Sequence, residues 1–385
     1  MLKLWNNCNV YSPKYLGIRD ILIEGDKIVA VDEDLTNWEA APKIEVKDLA
    51  GAIVCPGLID LHVHVTGGGG EQGPASRTPE LQLTDFTLNG VTSVVGLLGT
   101  DGISRSLENL LAKCRALEEE GLSTWMLTGN YRYPSETITG DVQRDICLID
   151  KIIGVKLALA DHRSSAITSQ ELARLGTEAY LGGMLGNKPG LVVLHMGSAK
   201  RRMEDLFSAL EQSDVPPRCF LPTHCCRSPE LIADAVRFNK MGGTIDFTAE
   251  LPDNEAGTAA ALCSALRQGA DPGRITMSSD AGGSQPIFNE SGHCIGLGTT
   301  TSATLLQELR RMIYREGLPL ETALRFFTEN PARVLGQNGR KGSISPGADA
   351  DLLVLDENYE VMHLMVKGNE AVQNKKAIIK GVFEA

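Results

Sequence analysis

No stretch of the 385-residue sequence is apolar for long enough to cross a bilayer as a helix. The first residues, Met1-Leu2-Lys3-Leu4-Trp5-Asn6-Asn7, lack the long apolar core of a secretory leader, so a cytoplasmic protein is expected. Positive charge is in short supply: 37 Lys and Arg stand against 49 Asp and Glu, a formal net charge of −12. Such a surface argues against nucleic acid and against anionic membranes as partners. The nine cysteines, an odd number, form no C-x-x-C pair. They read as reduced thiols, with Cys225-Cys226 as packing residues. No internal repeat and no low-complexity tract is present. A nucleotide fingerprint is also missing, since the four glycines at 67–70 do not follow G-x-G-x-x-G spacing.

What is present suits a globular protein with one large domain and one small one: 42% hydrophobic and 22% charged residues. Residues 1–55 read as short strands at 18–23, 27–31 and 44–48, with Gly25-Asp26 as a hairpin turn and no helix of useful length. From Leu58 the texture changes. Apolar runs at 58–65, 91–98, 123–129, 152–159, 191–195, 220–224, 244–247 and 275–279 alternate with amphipathic stretches at 106–120, 169–185, 228–241 and 256–268. Stretches 302–316 and 320–328 supply closing helices, and the helical texture ends after Asn330-Pro331. Strands return at 352–355, 361–366 and 377–382. The expected fold class is α/β: a TIM (β/α)8 barrel over 56–340, with a small β-sandwich built from both termini, 1–55 and 341–385. A doubly wound open sheet is the competing architecture.

In such a barrel the chemistry sits at the C-terminal strand ends. The first run carries Asp60-Leu61-His62-Val63-His64, and alternate residues of a strand share a face, so His62 and His64 point together. A bare H-x-H is more often two unrelated histidines than a ligand pair. The other strands change that balance. The fourth holds Lys156, the fifth ends at His195, the sixth at His224, and the eighth is followed by Asp280. Four of only seven histidines thus fall at strand ends. Four imidazoles and a carboxylate can hold two divalent metals. Lysine among them is at first sight misplaced, because an ammonium repels cations and is costly to bury. Two resolutions stand open: a neutral amine that adds carbon dioxide to become a bridging carbamate, or a buried ion pair with a nearby acid.

These residues carry a resemblance. Pro56-Gly57-Leu58-Ile59-Asp60-Leu61-His62-Val63-His64, the glycine run with Glu71, Gly129-Asn130-Tyr131, Ile153-Gly154-Val155-Lys156, Asp161-His162-Arg163-Ser164, Leu194-His195-Met196-Gly197, Pro222-Thr223-His224 with Arg227, and Ser279-Asp280 with Ser284-Gln285-Pro286 resemble the two-metal amidohydrolase superfamily. Within it they are most similar to the isoaspartyl (β-aspartyl) dipeptidases, over nearly the whole chain. Ala281 departs from the pattern, which has glycine after the aspartate.

The resemblance implies hydrolysis of the isopeptide bond of β-aspartyl dipeptides by a hydroxide bridging two metals. His62, His64 and Asp280 would bind one metal, His195 and His224 the other, and a CO2-derived carbamate on Lys156 would bridge them. Zinc is the preferred ion for an imidazole-rich set, with manganese, iron and cobalt left open. Asp280 would shuttle the proton. Tyr131 would donate to the developing oxyanion. Glu71 would take the substrate ammonium, Arg163 and Arg227 its carboxylates, and Ser284 and Thr100 would hold the aspartyl end. The partners implied are a small dipeptide and other copies of the chain, octamers among the assemblies. The alternatives are an amidohydrolase acting on cyclic amides or N-acyl amino acids (dihydropyrimidinase, dihydroorotase or deacylase type), or a scaffold that kept the fold and lost the chemistry. His162 adjoins Arg163 as a candidate for orienting it. His293 and His363 carry no role from spacing, and Asn289-Glu290-Ser291 forms a glycosylation sequon that matters only after secretion.

Overall fold

A computed structural model describes residues 1–249, 257–288 and 294–384. His293 and the sequon at 289–291 lie outside them.

Both chain ends build one nine-stranded sheet. Leu2–Tyr11 lies at its centre, antiparallel to Tyr15–Glu24 and parallel to both Glu45–Asp48 and Ile53–Pro56. Ile53–Pro56 in turn accepts Leu352–Leu355 from the far end of the chain, followed by Val361–Val366 and Asn369–Gln373. Trp5, Ile21, Val54, Ile344, Leu352 and Met365 pack in a core of their own. A buried ion cluster ties this sheet to the rest. Lys341 is only 4% exposed and its Nζ reaches Asp351 (2.5 Å), Asp349 (2.9 Å) and the Ser123 hydroxyl (2.7 Å) at the start of a barrel strand. The ammonium and both carboxylates are compensated by one another, as burial of charge requires.

The middle of the chain is a (β/α)8 barrel. Six parallel strands run in sequence order: Leu58–Val63, Val91–Gly96, Ser123–Gly129, Ile152–Leu159, Leu191–Met196 and Phe220–Thr223. Ile245–Thr248 and Ile275–Ser278 form the remaining parallel pair. The ring closes through the backbone, Cys225 N donating to Asp246 O (3.2 Å) on one side and His64 N to Ala281 O (2.8 Å) on the other. Every residue of the first, fourth and fifth strands is buried, which explains their unbroken apolar runs: helices cover one face and side chains fill the other. Helices such as Leu107–Glu119 and Pro229–Lys240 start at Ser106 and Ser228, whose hydroxyls accept from the backbone two or three residues into the helix. Among the described residues no helix is long and apolar enough to cross a membrane.

The structure corrects the sequence reading in several places, and Leu2–Tyr11 and Ile53–Pro56 are strands that this reading did not expect. The first strand ends at Val63, so His64 opens the following loop. The stretch 377–382 is not a strand: Lys376–Ala377 is a two-residue edge, and the strand before it, Asn369–Gln373, gave no alternating apolar signal. The helical texture does not end at Pro331. Glu329–Val334 is a helix with Pro331 in its first turn, where a missing N–H costs nothing. Two short helices, Val142–Leu148 and Glu204–Glu211, were not expected. They follow N-terminal signals too brief for periodicity to register.

Candidate active site

The strand ends named above converge. Lys156 is fully buried in the fourth strand, its Nζ 2.9 Å from His62 Nε2. Asp280 Oδ1 lies 3.4 Å from His62 Nε2 and 3.1 Å from His64 Nε2. The His62 and His224 rings are 5.0 Å apart centre to centre, and those of His195 and His224 are 4.4 Å apart. Ligand atoms of His62, His224 and Asp280 all lie within 4.8 Å of one another, a spacing that one cation can span. His224 (φ 62°) and Asp280 (φ 54°) both adopt the left-handed backbone region that non-glycine residues avoid. Such conformers cost roughly 1–3 kcal/mol and concentrate at functional sites. Ala281 has no such φ, so alanine stands where glycine was expected without backbone strain.

The electrostatics suit cation binding. Burial pushes His195 down to about 3 and His62 and His224 well below the ordinary imidazole range. Metals require that neutral form. Burial also pushes Lys156 down to about 7, against the pull of Asp280 and Asp246. Asp280 goes the other way: burial opposes ionisation, but its contact with His64 and the charge of Lys156 hold it well below the usual carboxylate range. His64 Nδ1 and His224 Nε2 are buried without a hydrogen-bond partner among the described residues. The unpartnered nitrogens and the Asp280 carboxylate fit a divalent metal, while both nitrogens of His195 are engaged, Nδ1 by Tyr131 OH (2.6 Å) and Nε2 by Asp161 (3.1 Å) and Arg163 (3.1 Å).

A hydroxyl and carboxylate layer orients these groups. His224 Nδ1 meets Thr248 Oγ1 at 2.7 Å and His62 Nδ1 meets Thr223 Oγ1 at 3.3 Å, which leaves each Nε2 for the centre. Asp60 accepts from the backbone N–H of His62 (3.2 Å) and Ser279 (3.1 Å) and from the Ser279 hydroxyl. Asp246 accepts from Thr276 (2.7 Å) and Ser278 (2.6 Å). Burial raises Asp60 to about 6 and Asp246 to about 7. Neither was singled out from the sequence, although an acid inside an apolar strand is a visible signal in Leu58–Val63 and Ile245–Thr248.

The remaining candidates form the rim. Glu71 takes hydrogen bonds from Thr100 Oγ1 (3.1 Å), Ser284 Oγ (3.1 Å) and Arg163 Nη1 (3.2 Å). Tyr131 OH lies 2.6 Å from His195 Nδ1, and the Arg163 guanidinium lies over the Tyr131 ring at 5.1 Å. Arg227 Nη1 donates to Met196 O (2.6 Å) and lies 3.2 Å from His195 Nε2. Asp161, unassigned from sequence, holds Arg163 through Nε (2.8 Å) and Nη2 (3.0 Å) and lies 3.1 Å from His195 Nε2. That two-point grip orients Arg163. His162, its side chain 85% exposed, has no hydrogen bond to Arg163 among the described residues, and its Nδ1 lies 3.4 Å from the Asp161 carboxylate that grips Arg163. His363 is remote, beside Lys47 (3.2 Å) in the terminal sheet.

Known proteins share this fold. The structure of a beta-aspartyl dipeptidase from Fervidobacterium islandicum AW-1, in complex with the β-Asp-Leu dipeptide, is 43% identical, with 98% of each chain covered and a TM-score of 0.91. A second structure of beta-aspartyl dipeptidase from that organism is 41% identical over 98% of each chain, with a TM-score of 0.90. A curated relative, the N-acetylglucosamine-6-phosphate deacetylase of Danio rerio, is 35% identical over 106 residues, and the chain spans only 25% of its length. The family model described as "Amidohydrolase family" matches residues 189–382, which include His195, His224, Asp280 and the C-terminal strands of the terminal sheet. With barrel, terminal sheet and convergent histidines agreeing, the chain belongs to the amidohydrolase family, whose members generally bind divalent metals.

Proposed function

We propose that this protein is a metal-dependent dipeptidase that hydrolyses the isopeptide bond of β-aspartyl dipeptides. One observation carries the reading: a single carboxylate, Glu71, is cradled by hydroxyls beside two arginines, Arg163 and Arg227, at the mouth of the histidine cage. A β-aspartyl dipeptide carries one ammonium and two carboxylates, the complementary set. The dipeptide-bound structure that is 43% identical supports the same substrate class.

His62, His64 and Asp280 would hold one divalent metal and His195 and His224 a second, with carboxylated Lys156 as a further ligand. Zinc suits so many imidazoles. Metals bound there would supply an acidified water at neutral pH and a Lewis acid for the scissile carbonyl. The carbamate forms when the neutral Lys156 amine adds to carbon dioxide and loses a proton, and burial provides that neutral amine. The residues do the rest. Asp280, held ionised, takes the proton from the attacking water and delivers it to the leaving amine nitrogen. Tyr131, kept protonated by burial, donates to the carbonyl oxygen as charge develops there. Glu71, Ser284 and Thr100 hold the α-ammonium end. Arg163 and Arg227 take the carboxylates, drawing in an anionic substrate despite the negative net charge.

A substrate panel on zinc-loaded protein tests this. β-Asp-Leu is expected to turn over, with α-Asp-Leu and dihydrouracil slower by roughly 100-fold or more, the scale on which a site rejects substrates that leave its buried polar groups unpaired. Turnover of the α-dipeptide alone, or of the cyclic amide alone, would overturn the assignment.

A further inference from the structure

The four glycines before Glu71 contribute no side chain that could fix their loop. Gly67, Gly69 and Gly70 all have positive φ. A Cβ on Gly67 would meet Thr78 O at 2.3 Å, and one on Gly69 would meet Ser76 O at 2.3 Å. Side chains are thus excluded where the loop is pressed against its neighbours. A loop of this composition is floppy by default, because glycine has the most conformational freedom to lose. Yet it must present one carboxylate at a fixed point.

Backbone hydrogen bonds from Gly70 N to Ser76 O (3.2 Å) and from Thr78 N to Gly68 O (3.0 Å) hold part of the loop, and Arg105 adds a side-chain clamp. This guanidinium is 6% exposed and no carboxylate lies within ion-pair distance of it among the described residues. It donates instead to three backbone carbonyls, those of Thr66, Gly68 (3.1 Å) and Thr78 (2.9 Å). Two of these belong to the glycine loop and the third to the strand of chain returning past it. The loop's amides are satisfied elsewhere, Gly68 N by Gly282 O (2.9 Å) and Thr78 Oγ1 (2.7 Å). Gly68 O also accepts from Thr78 N (3.0 Å), whereas the carbonyls of Thr66 and Thr78 take their hydrogen bonds from Arg105. The same segment of chain supplies Thr100, whose hydroxyl binds Glu71. The guanidinium thereby clamps the loop bearing the carboxylate onto the segment bearing its hydroxyl partner.

We propose that Arg105 is the positioning residue for ammonium recognition: it sets where Glu71 stands, and through Glu71 it determines selectivity for substrates with a free α-amine. Arg105 touches no substrate in this account. The inference rests on the proposed β-aspartyl dipeptidase reading. A planar fork with several donors can serve three converging carbonyls, whereas a lysine ammonium on a single point cannot match that geometry.

The test compares β-Asp-Leu with succinyl-Leu, the same molecule without its α-amine, on zinc-loaded full-length protein. The parent is expected to prefer β-Asp-Leu by roughly 100-fold in kcat/KM, as for a site built around a charged partner. A parent ratio near one would remove the ammonium role of Glu71 itself, and this is seen before any variant is made. Given a selective parent, Arg105→Lys is expected to cut that ratio about tenfold, one hydrogen-bonding partner's worth of placement, while kcat/KM for succinyl-Leu and the metal content stay at parental values. Equal losses on both substrates would make Arg105 merely structural and overturn the proposal, as would an unchanged ratio. If Arg105→Lys gives no folded protein, Arg105→Ala with millimolar guanidinium serves: the added cation should restore selectivity for β-Asp-Leu, and a folded variant whose selectivity it does not restore would count against the idea.

Discussion

Lys156→Ala is expected to lose turnover of β-Asp-Leu by on the order of a thousandfold, and to regain part of it when acetate or propionate is added at tens of millimolar. The size follows from the several kcal/mol that a metal site contributes to transition-state charge, at one factor of ten per 1.36 kcal/mol. The rescue follows from geometry: alanine leaves a void beside His62 where the Nζ stood, and a short carboxylate brings to that void the group the carbamate would have provided. The pH dependence has a definite sign. Carbon dioxide adds only to the neutral amine, and burial holds Lys156 at about 7, so the neutral fraction grows as pH rises through that value. Reactivation of metal-free, CO2-stripped protein by zinc and bicarbonate should therefore be faster at pH 8 than at pH 6. Steady-state assays with and without added acid check the first part. Full activity of Lys156→Ala without additive would remove the lysine from the centre.

Asp280→Asn is expected to lower kcat by about 100- to 10,000-fold, the usual contribution of a positioned proton carrier. KM should move much less, because the groups proposed to read the substrate, Glu71, Arg163 and Arg227, stand on other segments. The substitution keeps the shape and the left-handed backbone at this position, where asparagine is tolerated. It removes the negative charge that lies between His62 and His64 and that Lys156 feels. Measuring kcat and KM on β-Asp-Leu separates the two roles. A raised KM with unchanged kcat would make Asp280 a binding group and leave the proton without a carrier.

Much of this was legible before any coordinates. Eight apolar runs at regular spacing report a barrel because a strand buried on both faces has no polar side to show. A histidine, lysine or aspartate that interrupts such a run is conspicuous, which is why His62, Lys156, His195 and His224 could be named together. What stayed hidden has physical causes. Asn369–Gln373 is an outer strand of the terminal sheet, with Glu370 in place of an apolar alternation. The helix over Glu329–Val334 begins with a residue pair, Asn330-Pro331, that usually signals a stop, and here proline occupies the first turn. Arg105 gives no signal at all in sequence, because its partners are carbonyls and a carbonyl has no letter. Asp161 was in view beside His162, yet nothing in the order of residues says which of the two faces Arg163.

Distant strand ends are proposed to form one cage for two divalent cations joined by a CO2-modified lysine. Elemental analysis after reconstitution with zinc and bicarbonate and removal of free metal tests it most directly. About two zinc ions per chain are expected in the parent, the complement of a two-metal amidohydrolase site, with a clear loss in Lys156→Ala. A parent that retains no zinc, or a ratio that Lys156→Ala leaves untouched, would contradict it.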